Sequence, residues 1–238
     1  MIFQEEWHSR ISDFNRHGRL GYEAILQMLE TAGSHHSDAA QDNVIAGSQA
    51  GFAWVLTEWR VKIIRQPDSK EHLRISTWIR GKAPAAMVHR EFIVVDDQGN
   101  ICILAEAALV LLDINRGRMT RITEDSLVPY QPEEKTVFDD ELPRLREPGT
   151  VLFTHPMALR YSDIDFNGHV HNTRYIEFAL DALPAHIREQ EDWKEIRIAY
   201  LRAVQENDDV ITHYACQGDS HLVSVTANGK ASCLMELK

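Results

Sequence analysis

Ser162-Asp163-Ile164-Asp165-Phe166-Asn167-Gly168-His169 echoes an earlier segment, Ser12-Asp13-Phe14-Asn15-Arg16-His17, and carries two extra residues relative to it. Each segment stands just before an amphipathic helical pattern, in which apolar residues recur at positions i, i+3, i+4 and i+7. Each helix is followed, after a polar stretch, by a series of strand-like runs. The matching order of elements predicts a diverged internal duplication.

The two helical patterns end at different signals. The first places these residues on one face: Ile25, Met28, Leu29 and Ala32. Gly33 is predicted to stop this helix, which would leave His35 and His36 on the surface. The second repeats the spacing with Ile176, Ala179, Leu180 and Leu183. Pro184 is predicted to end it, because proline cannot continue a helix.

The strand-like runs form two sets. The first set is Phe52–Ile64, Leu73–Ile79, Val88–Val95 and Ile101–Leu112. The second set is Ile196–Val204, Val210–Cys216, Leu222–Thr226 and Ala231–Leu237. A helix packed on a curved antiparallel sheet, built twice, is an α+β architecture.

A proline-rich, charged stretch separates the two sets and is read as a linker. The predicted organisation is therefore an N-terminal domain at 1–130, a linker at 131–150 and a C-terminal domain at 151–238.

Composition excludes several classes of protein. The 238 residues include 36 acidic and 25 basic ones, a formal net charge of −11, which argues against a nucleic-acid or anionic-membrane partner. The three cysteines form no C-x-x-C pair, and no apolar run is long enough to span a bilayer. The acidic start of the chain lacks the pattern of a targeting peptide. We therefore expect a reduced, cytoplasmic protein.

Candidate chemistry is concentrated between Arg160 and Tyr175, where two Asp, two Asn and two His stand just before the second helix. Asp165, Asn167 and His169 alternate, so in an extended stretch their side chains would face one side. Asn172 or Thr173 can cap the helix, and its first-turn amides suit a developing oxyanion.

Other interpretations of these residues remain open at this point. Asp165 and Asn167-Gly168 are also typical of a tight turn. His169 and His171 could bind a metal together with Asp165, although no further ligand set is evident, and none is predicted. Elsewhere, a basic cluster at 116–121 suits either solvent or an acidic protein partner; its members are Arg116, Arg118 and Arg121.

Ser162 to Glu177 resembles the signature of the acyl-acyl carrier protein (acyl-ACP) thioesterases, Asp-x-Asn-x-His-Val-x-Asn-x-x-Tyr. Trp54-Val55-Leu56-Thr57, at the start of the first long strand, and the first helix at Gly21 to Gly33 are similar to that family too. The resemblance implies a tandem (double) hot-dog fold, in which each half is a long helix wrapped by an antiparallel β-sheet.

The activity implied by the resemblance is hydrolysis of the thioester between a fatty acyl chain and the phosphopantetheine arm of the carrier protein, without a cofactor. The family's catalytic residues map onto Asp165, Asn167 and His169. Asp165 and His169 would activate water, although a covalent route through Asp165 stays open. The expected substrate-binding residues are Trp54, Asn172 and Tyr175. The oligomeric state, including a homodimer, is left open.

The chain departs from the family in one respect. Many members have Tyr-x-x-Glu after the second helix, and plant members follow that Glu with a Cys. Here Tyr200 is followed by Ala203 and Val204 at those two positions, and Glu206 comes further on. The first half keeps Asn15 and His17 but has no counterpart of Asp165. We therefore expect one active site, in the second half, and an acyl-binding role for the first.

Three alternatives compete with acyl-ACP hydrolysis: an acyl-CoA thioesterase, a hot-dog hydratase or dehydratase, and a non-catalytic acyl-binding module. Because acyl carrier proteins are acidic, an acidic enzyme needs a local basic patch to receive one. The basic cluster at 116–121 and the pair Lys62 and Arg65 are the candidates.

Overall fold

Each predicted helix lies against an antiparallel sheet in the computed structural model, which describes residues 1–43, 47, 51–189 and 192–238. The chain divides into two units, Met1–Glu141 and Leu142–Lys238, so the division falls within the predicted linker. None of the helices in these described ranges is long and apolar enough to cross a membrane.

Unit 1 holds the longer helix. Its elements are β1 (Phe3–Trp7), a 3-10 turn (Ile11–Asp13), α1 (Tyr22–Ala39), β2 (Phe52–Ile63), β3 (Leu73–Arg80), β4 (Val88–Val95), β5 (Ile101–Asp113), β6 (Arg118–Thr120), α2 (Glu124–Leu127) and a second 3-10 turn (Val128–Tyr130). The strands pair in the order β1-β3-β4-β5-β2, with β6 against the end of β5, and every pairing is antiparallel.

Unit 2 repeats the plan on a smaller scale. Its elements are β7 (Phe153–Met157), a 3-10 turn (Tyr161–Asp163), α3 (Arg174–Ala182), α4 (Ala185–Arg188), β8 (Glu195–Tyr200), β9 (Val210–Gln217), β10 (Ser220–Ala227) and β11 (Lys230–Leu237). The order β8-β11-β10-β9-β7 is the same sequence of pairings as in unit 1, read from the other end. The predicted duplication is therefore visible in the topology of each unit.

The apolar face of α1 forms the centre of the unit 1 core. Its members are fully buried: Ile25, Met28, Leu29 and Ala32. Burial of each large side chain of this kind contributes about 1.5–3 kcal/mol. In unit 2, α3 ends before Pro184 as predicted, and its buried residues include Tyr175, Ile176, Phe178 and Ala179.

Gly33 does not stop α1, and that prediction is wrong. The helix continues to Ala39, and Gly33 lies buried inside it. A Cβ at this position would lie 3.3 Å from Cδ of Arg90 and 3.7 Å from Cζ of Phe92. The glycine therefore serves the close approach of two β4 side chains to the helix rather than its termination.

The expectation that His35 and His36 lie on the surface is half wrong as a result. His35 is exposed, and its Nδ1 lies 2.6 Å from Oε2 of Glu5. His36, which the continuing helix turns inward, is fully buried and stacks on the ring of Phe3 at a centroid distance of 5.6 Å.

Strand β8 ends at Tyr200, four residues before the predicted end at Val204. The N–H groups of Leu201 and Arg202 both donate to the Ser232 carbonyl, at 2.8 and 3.1 Å, so the regular ladder stops there. Residues 201–209 are thereby left to form an irregular segment.

The first part of the predicted linker packs on unit 1 as a strap, residues 131–141. Trp78 Nε1 donates to the Lys135 carbonyl at 2.9 Å. The Val137 N–H donates to Oε2 of Glu91, a fully buried carboxylate, at 3.1 Å. The strap therefore supplies hydrogen-bond partners to side chains of β3 and β4.

Candidate active site

The segment that carries the predicted catalytic residues forms a tight loop. Ile164 and Val170 pair at its base in an antiparallel bridge. Inside it, the Asp165 N–H donates to the His169 carbonyl at 2.8 Å, and the Gly168 N–H donates to the Asp165 carbonyl at 3.0 Å. Gly168 has a φ of 78°, which glycine adopts without strain. The prediction of an extended stretch with alternating faces is therefore wrong, because the chain reverses direction here.

Asp165 holds this loop through its carboxylate. Its Oδ1 accepts the N–H of Asn167 at 2.8 Å and the N–H of His169 at 3.2 Å, the pattern of an Asx turn. Within the described residues, Oδ2 of Asp165 receives no hydrogen bond. The turn-forming interpretation of Asp165 is therefore correct, and one carboxylate oxygen is still available to a water or substrate. The Asp165 and His169 side chains are half-buried, and Asn167 is exposed.

His171 is turned away from this loop and toward the helix. Its Nδ1 lies 3.0 Å from Oγ1 of Thr173, and its N–H donates to the Asp163 carbonyl at 2.9 Å. The alternative of a metal held jointly by Asp165, His169 and His171 gains no support from this arrangement, since one ring nitrogen of His171 is already engaged.

Helix α3 begins directly after the loop, with Thr173 at the N-cap position, but the predicted side-chain cap does not form there. The Thr173 hydroxyl contacts His171 and makes no capping hydrogen bond, so the first-turn amides are not capped by that side chain. The Arg174 N–H at the start of the helix already donates to the His171 carbonyl at 2.9 Å. A first-turn N–H without an acceptor carries a partial positive charge and suits a developing oxyanion.

Tyr175 and Asn172, the predicted substrate contacts in unit 2, brace the start of α3. The Tyr175 ring is buried and packs edge-on against Tyr200 at a centroid distance of 5.6 Å. Tyr200 in turn donates its hydroxyl to the Asn172 carbonyl at 2.9 Å. Burial raises the pKa of the Tyr175 hydroxyl, which keeps it a neutral phenol. Their roles in substrate binding stay predictions.

The irregular segment after β8 lies beside the loop, which the sequence did not predict. The Val170 N–H donates to the Val204 carbonyl at 2.8 Å, and His169 forms an antiparallel bridge with Gln205. Asp208 Oδ2 accepts the Gln205 N–H at 2.9 Å. No spacing in the sequence points to Gln205, because the bridge joins two segments outside the regular strands.

Ala203, at the position of the family's glutamate, and Glu206, the nearest carboxylate in sequence, lie on this same segment. Ala203 is exposed and offers no hydrogen-bonding side chain, and Glu206 is exposed one position beyond Gln205. Glu206 stands in the turn that follows Gln205, which the Asp208 N–H closes by donating to the Gln205 carbonyl at 3.1 Å.

Unit 1 builds the same loop from different residues. Asn15 Oδ1 accepts the N–H of His17 at 3.0 Å and of Arg19 at 3.1 Å, as Asp165 does in unit 2. Asn15 is therefore the counterpart of Asp165, and Arg19 is the counterpart of His169. The expectations that unit 1 lacks such a counterpart and that the later copy has two extra residues are both wrong, because the Phe-Asn-x-His echo aligned residues with different roles.

A cavity of about 480 Å³ opens in unit 1 beside Trp54. Its walls include Ala40, Asp42, Phe52, Trp54, Leu111 and Arg121. Oδ2 of Asp42 accepts hydrogen bonds from Nε1 of Trp54 at 2.7 Å and from the hydroxyl of Tyr130 at 2.8 Å. The predicted pocket residue Trp54 therefore does line a cavity, with an apolar wall and an acidic group that fixes its ring.

Behind this wall lies a buried polar network. Oγ of Ser37 lies within hydrogen-bond distance of the Tyr130 hydroxyl, at 3.0 Å, and Arg90 donates to Ser37 at 3.1 Å and to Nδ1 of His36 at 2.7 Å. Burial lowers the pKa of His36 to about 3 and the pKa of Arg90 to about 10. The histidine is therefore neutral beside a charged guanidinium.

Arg65, one of two candidate docking residues on β2 and the loop after it, is already used within unit 1. Glu71, Asp96 and Cys102 each place one potential metal-ligating atom within 4.8 Å of the others. The Arg65 guanidinium binds to this cluster, with hydrogen bonds of 2.6 and 2.7 Å to Glu71 and 2.9 Å to Asp96. These bonds raise the pKa of Arg65 and lower the pKa of Glu71. Lys62 remains exposed.

The basic cluster at 116–121 is exposed throughout. Arg116 lies 3.6 Å from Asp113 through Nε, Arg118 begins β6, and Arg121 lines the cavity. This cluster therefore places positive charge at the cavity wall.

A helix on an antiparallel sheet, built twice in one chain, defines a double hot-dog fold, and comparison with known proteins confirms it. The chain superposes on the 12:0-ACP thioesterase from Umbellularia californica with a TM-score of 0.88, at 19% identity, covering 100% of this chain and 96% of that one. An acyl-ACP thioesterase from Bacteroides thetaiotaomicron gives a TM-score of 0.87 at 20% identity, over 99% and 96% of the two chains.

The profile of the acyl-ACP thioesterase N-terminal domain matches residues 1–130, and that of the C-terminal domain matches residues 147–236. The chain belongs to the acyl-ACP thioesterase family. Curated relatives include a chloroplastic palmitoyl-acyl carrier protein thioesterase of Cuphea hookeriana, 25% identical over 215 residues (85% of this chain, 52% of the relative). The chloroplastic oleoyl-acyl carrier protein thioesterase 2 of Arabidopsis thaliana is 26% identical over 185 residues (72% and 49%). The chain spans about half the length of these curated relatives.

Proposed function

We propose that this protein hydrolyses fatty acyl thioesters of acyl carrier protein, releasing a free fatty acid and the carrier's thiol. The observation that carries the proposal is the Asp165–His169 loop at the start of α3, in a chain of this family. Its expected setting is fatty acid biosynthesis in the cytoplasm; that location stays a prediction.

In the reaction, His169 takes a proton from a water molecule, whose oxygen attacks the thioester carbonyl carbon. The carbonyl oxygen becomes an oxyanion, which the first-turn amides of α3 stabilise. When the carbon–sulfur bond breaks, His169 returns the proton to the leaving thiolate. General acid–base catalysis of this kind contributes about 10²–10⁴ in rate.

Asp165 and Asn167 have different parts in this scheme. Asp165 Oδ1 fixes the loop that carries His169, and Oδ2 accepts a hydrogen bond from the attacking water. The exposed amide of Asn167 orients the thioester. A covalent route, in which Oδ2 of Asp165 attacks the carbonyl carbon, would keep the hydrogen bonds of Oδ1 to the loop amides. We favour the water route because His169, on the same loop, can act as the base that an attacking water needs.

We assign the unit 1 cavity to the acyl chain. Its apolar wall, formed by residues such as Phe52, Trp54 and Leu111, offers burial to a hydrocarbon. Its exposed edge carries Arg121 of the basic cluster, to which we assign the acidic carrier protein.

The test measures thiol release from panels of acyl-ACP and acyl-CoA. We expect Asp165→Ala and His169→Ala to lower kcat at least a hundredfold. The matched control is Asn15→Ala, which removes the same two loop hydrogen bonds in unit 1, where no reaction is proposed. If Asn15→Ala lowers activity as far as Asp165→Ala does, then the aspartate acts only on the fold.

The same assay separates the competing functions. A preference for acyl-CoA over acyl-ACP would identify an acyl-CoA thioesterase, and mass spectrometry would reveal a hydratase by water added to an intact thioester. The exposed Ala203, where many family members have glutamate, gives one observation in favour of a non-catalytic binding module. Tight binding of acyl-ACP with no thiol release above background would establish it.

A further inference from the structure

We propose that Gln205 is a positioning residue for His169: on rotation of its exposed side chain, the amide oxygen accepts the imidazole N–H and so sets which ring nitrogen faces the water. This proposal rests on the hydrolase function proposed above. It arises from the antiparallel bridge between His169 and Gln205, which pairs the backbone of a glutamine with that of the proposed base.

The type of bridge decides how near the two side chains stand. The Val170 N–H donates to the Val204 carbonyl at 2.8 Å, one residue along each segment from the bridged pair. His169 and Gln205 are therefore a non-hydrogen-bonded antiparallel pair, in which Cα atoms lie about 4.5 Å apart and the side chains share one face. A glutamine side chain at that separation reaches an imidazole nitrogen.

The backbone of Gln205 is held in place by its neighbours. Its N–H donates to Oδ2 of Asp208 at 2.9 Å, and Oδ1 of Asp208 accepts Nδ2 of Asn228 at 2.7 Å. Asn228 also accepts the Asp209 N–H at 3.0 Å. The amide is thus presented from a fixed segment, as a positioning group requires.

The chemistry of an amide limits what Gln205 can do. A glutamine cannot take up a proton near neutral pH, so it is no substitute for a general base. It can accept one imidazole N–H, which fixes the tautomer and leaves the other nitrogen as the acceptor for water. Ala203, at the position of the family's glutamate, has no polar side-chain atom that could do this.

Unit 1 contains the same backbone arrangement, which we call the frame, with a different pair of residues in place of His169 and Gln205. Leu20 N–H donates to the Pro67 carbonyl at 2.9 Å, Arg19 bridges with Asp68, and Asp68 N–H donates to Oε1 of Glu71 at 3.0 Å. The frame is therefore a property of the fold, whereas the histidine and amide pair belongs to unit 2. Asp68→Ala is the matched control for a change at this bridge position.

Other ionisable groups surround His169, and the test must separate them from Gln205. Asp165 belongs to the same loop and Tyr175 to the helix packed beneath it. The segment that carries Gln205 also holds Arg202, Glu206 and Asp208. Glu206 is adjacent in sequence and exposed, so Glu206→Gln controls for a general change of charge.

The first measurement is independent of activity. In Gln205→Glu, a carboxylate beside the imidazole favours its protonated form, so the NMR titration of the His169 ring proton should move its midpoint about one unit to higher pH. Glu206→Gln should shift it far less. An unchanged midpoint in Gln205→Glu would overturn the proposal, whether or not the protein is a hydrolase.

The second measurement is kinetic. Gln205→Ala should lower kcat about tenfold with KM unchanged, as expected for loss of one hydrogen bond that acts in the chemical step. Gln205→Glu should move the acidic limb of the kcat profile to higher pH, and Asp68→Ala should match the wild type. Wild-type kcat in Gln205→Ala would exclude a positioning role. A shifted NMR midpoint in a protein that releases no thiol would instead refute the proposed hydrolase function and leave the pairing intact.

Discussion

At the scale of single residues, the chemical type of a side chain does not by itself determine its role in this structure. Asp165 has the chemistry of an acid or base, yet two backbone amides already use one of its oxygens. His36 has the same imidazole as His169, but it is buried against Arg90 and kept neutral. Chemical identity therefore predicts candidates, and the surroundings decide among them.

The buried histidine makes stability depend on pH. The pKa of His36 is lowered to about 3 from about 6.5 in the unfolded chain, so below pH 6.5 the unfolded state binds the additional proton. The contribution of His36 is thus fully present above pH 6.5 and is lost as pH falls toward 3. Below pH 6.5 the wild type should lose about 1.4 kcal/mol per pH unit from this group.

Denaturant unfolding of the wild type and His36→Gln at several pH values measures this dependence. The variant keeps an acceptor for Arg90 and has no proton to gain, so its free energy of unfolding should fall less steeply between pH 6 and 5. His35→Gln, an exposed neighbour, is the control. Parallel curves for wild type and His36→Gln would contradict the assignment.

At the scale of elements, the local sequence pattern predicted where the helices and strands lie better than it predicted where they end. The strand and helix patterns lie where the structure has strands and helices, since periodicity follows directly from which face is buried. Gly33 gave a wrong helix end because the glycine is required by the close approach of Arg90. Arg90 lies on β4, so the local sequence around Gly33 cannot reveal this contact. The loop at 165–169 was also predicted wrongly, because alternating polar residues fit both an extended strand and an Asx turn. The motif itself was recognisable, whereas the bridge to Gln205 depends on how an irregular segment returns to the loop.

Gly33 provides a test at this scale. In an ordinary helix, Gly→Ala stabilises by about 1 kcal/mol. Here the new Cβ would lie 3.3 Å from a buried Arg90 side chain that hydrogen bonds restrain, so we expect Gly33→Ala to destabilise by about 1 kcal/mol. Thermal unfolding beside Ser34→Ala, on a more open side of the same helix, measures it. A higher Tm for Gly33→Ala would refute the packing argument.

At the scale of the whole molecule, charge constrains recognition. A chain with a net charge of −11 repels an acidic partner overall, so attraction must come from local groups. The exposed arginines at 116–121 offer such a region, and Arg121 lines the cavity assigned to the acyl chain. Carrier and acyl chain would then be recognised by neighbouring parts of unit 1.

Salt should therefore slow turnover of acyl-ACP more than turnover of acyl-CoA. Raising ionic strength shortens the Debye length and weakens long-range attraction, which acts mainly on kcat/KM. Arg121→Glu should lower kcat/KM for acyl-ACP about tenfold and flatten its salt dependence, whereas Lys230→Glu, an exposed charge in unit 2, should do neither. Salt-independent kcat/KM for acyl-ACP would contradict electrostatic docking at this cluster.

The paired loops around Asn15 and Asp165 bear on how such a chain evolves. Asparagine and aspartate have nearly the same shape, and the oxygen that each offers to two backbone amides is the same in both units. A duplicated gene can therefore exchange one for the other in either copy without refolding the loop. The ancestral structure can persist in both halves while selection on chemistry is relaxed in one, and a single substitution is enough to begin that divergence.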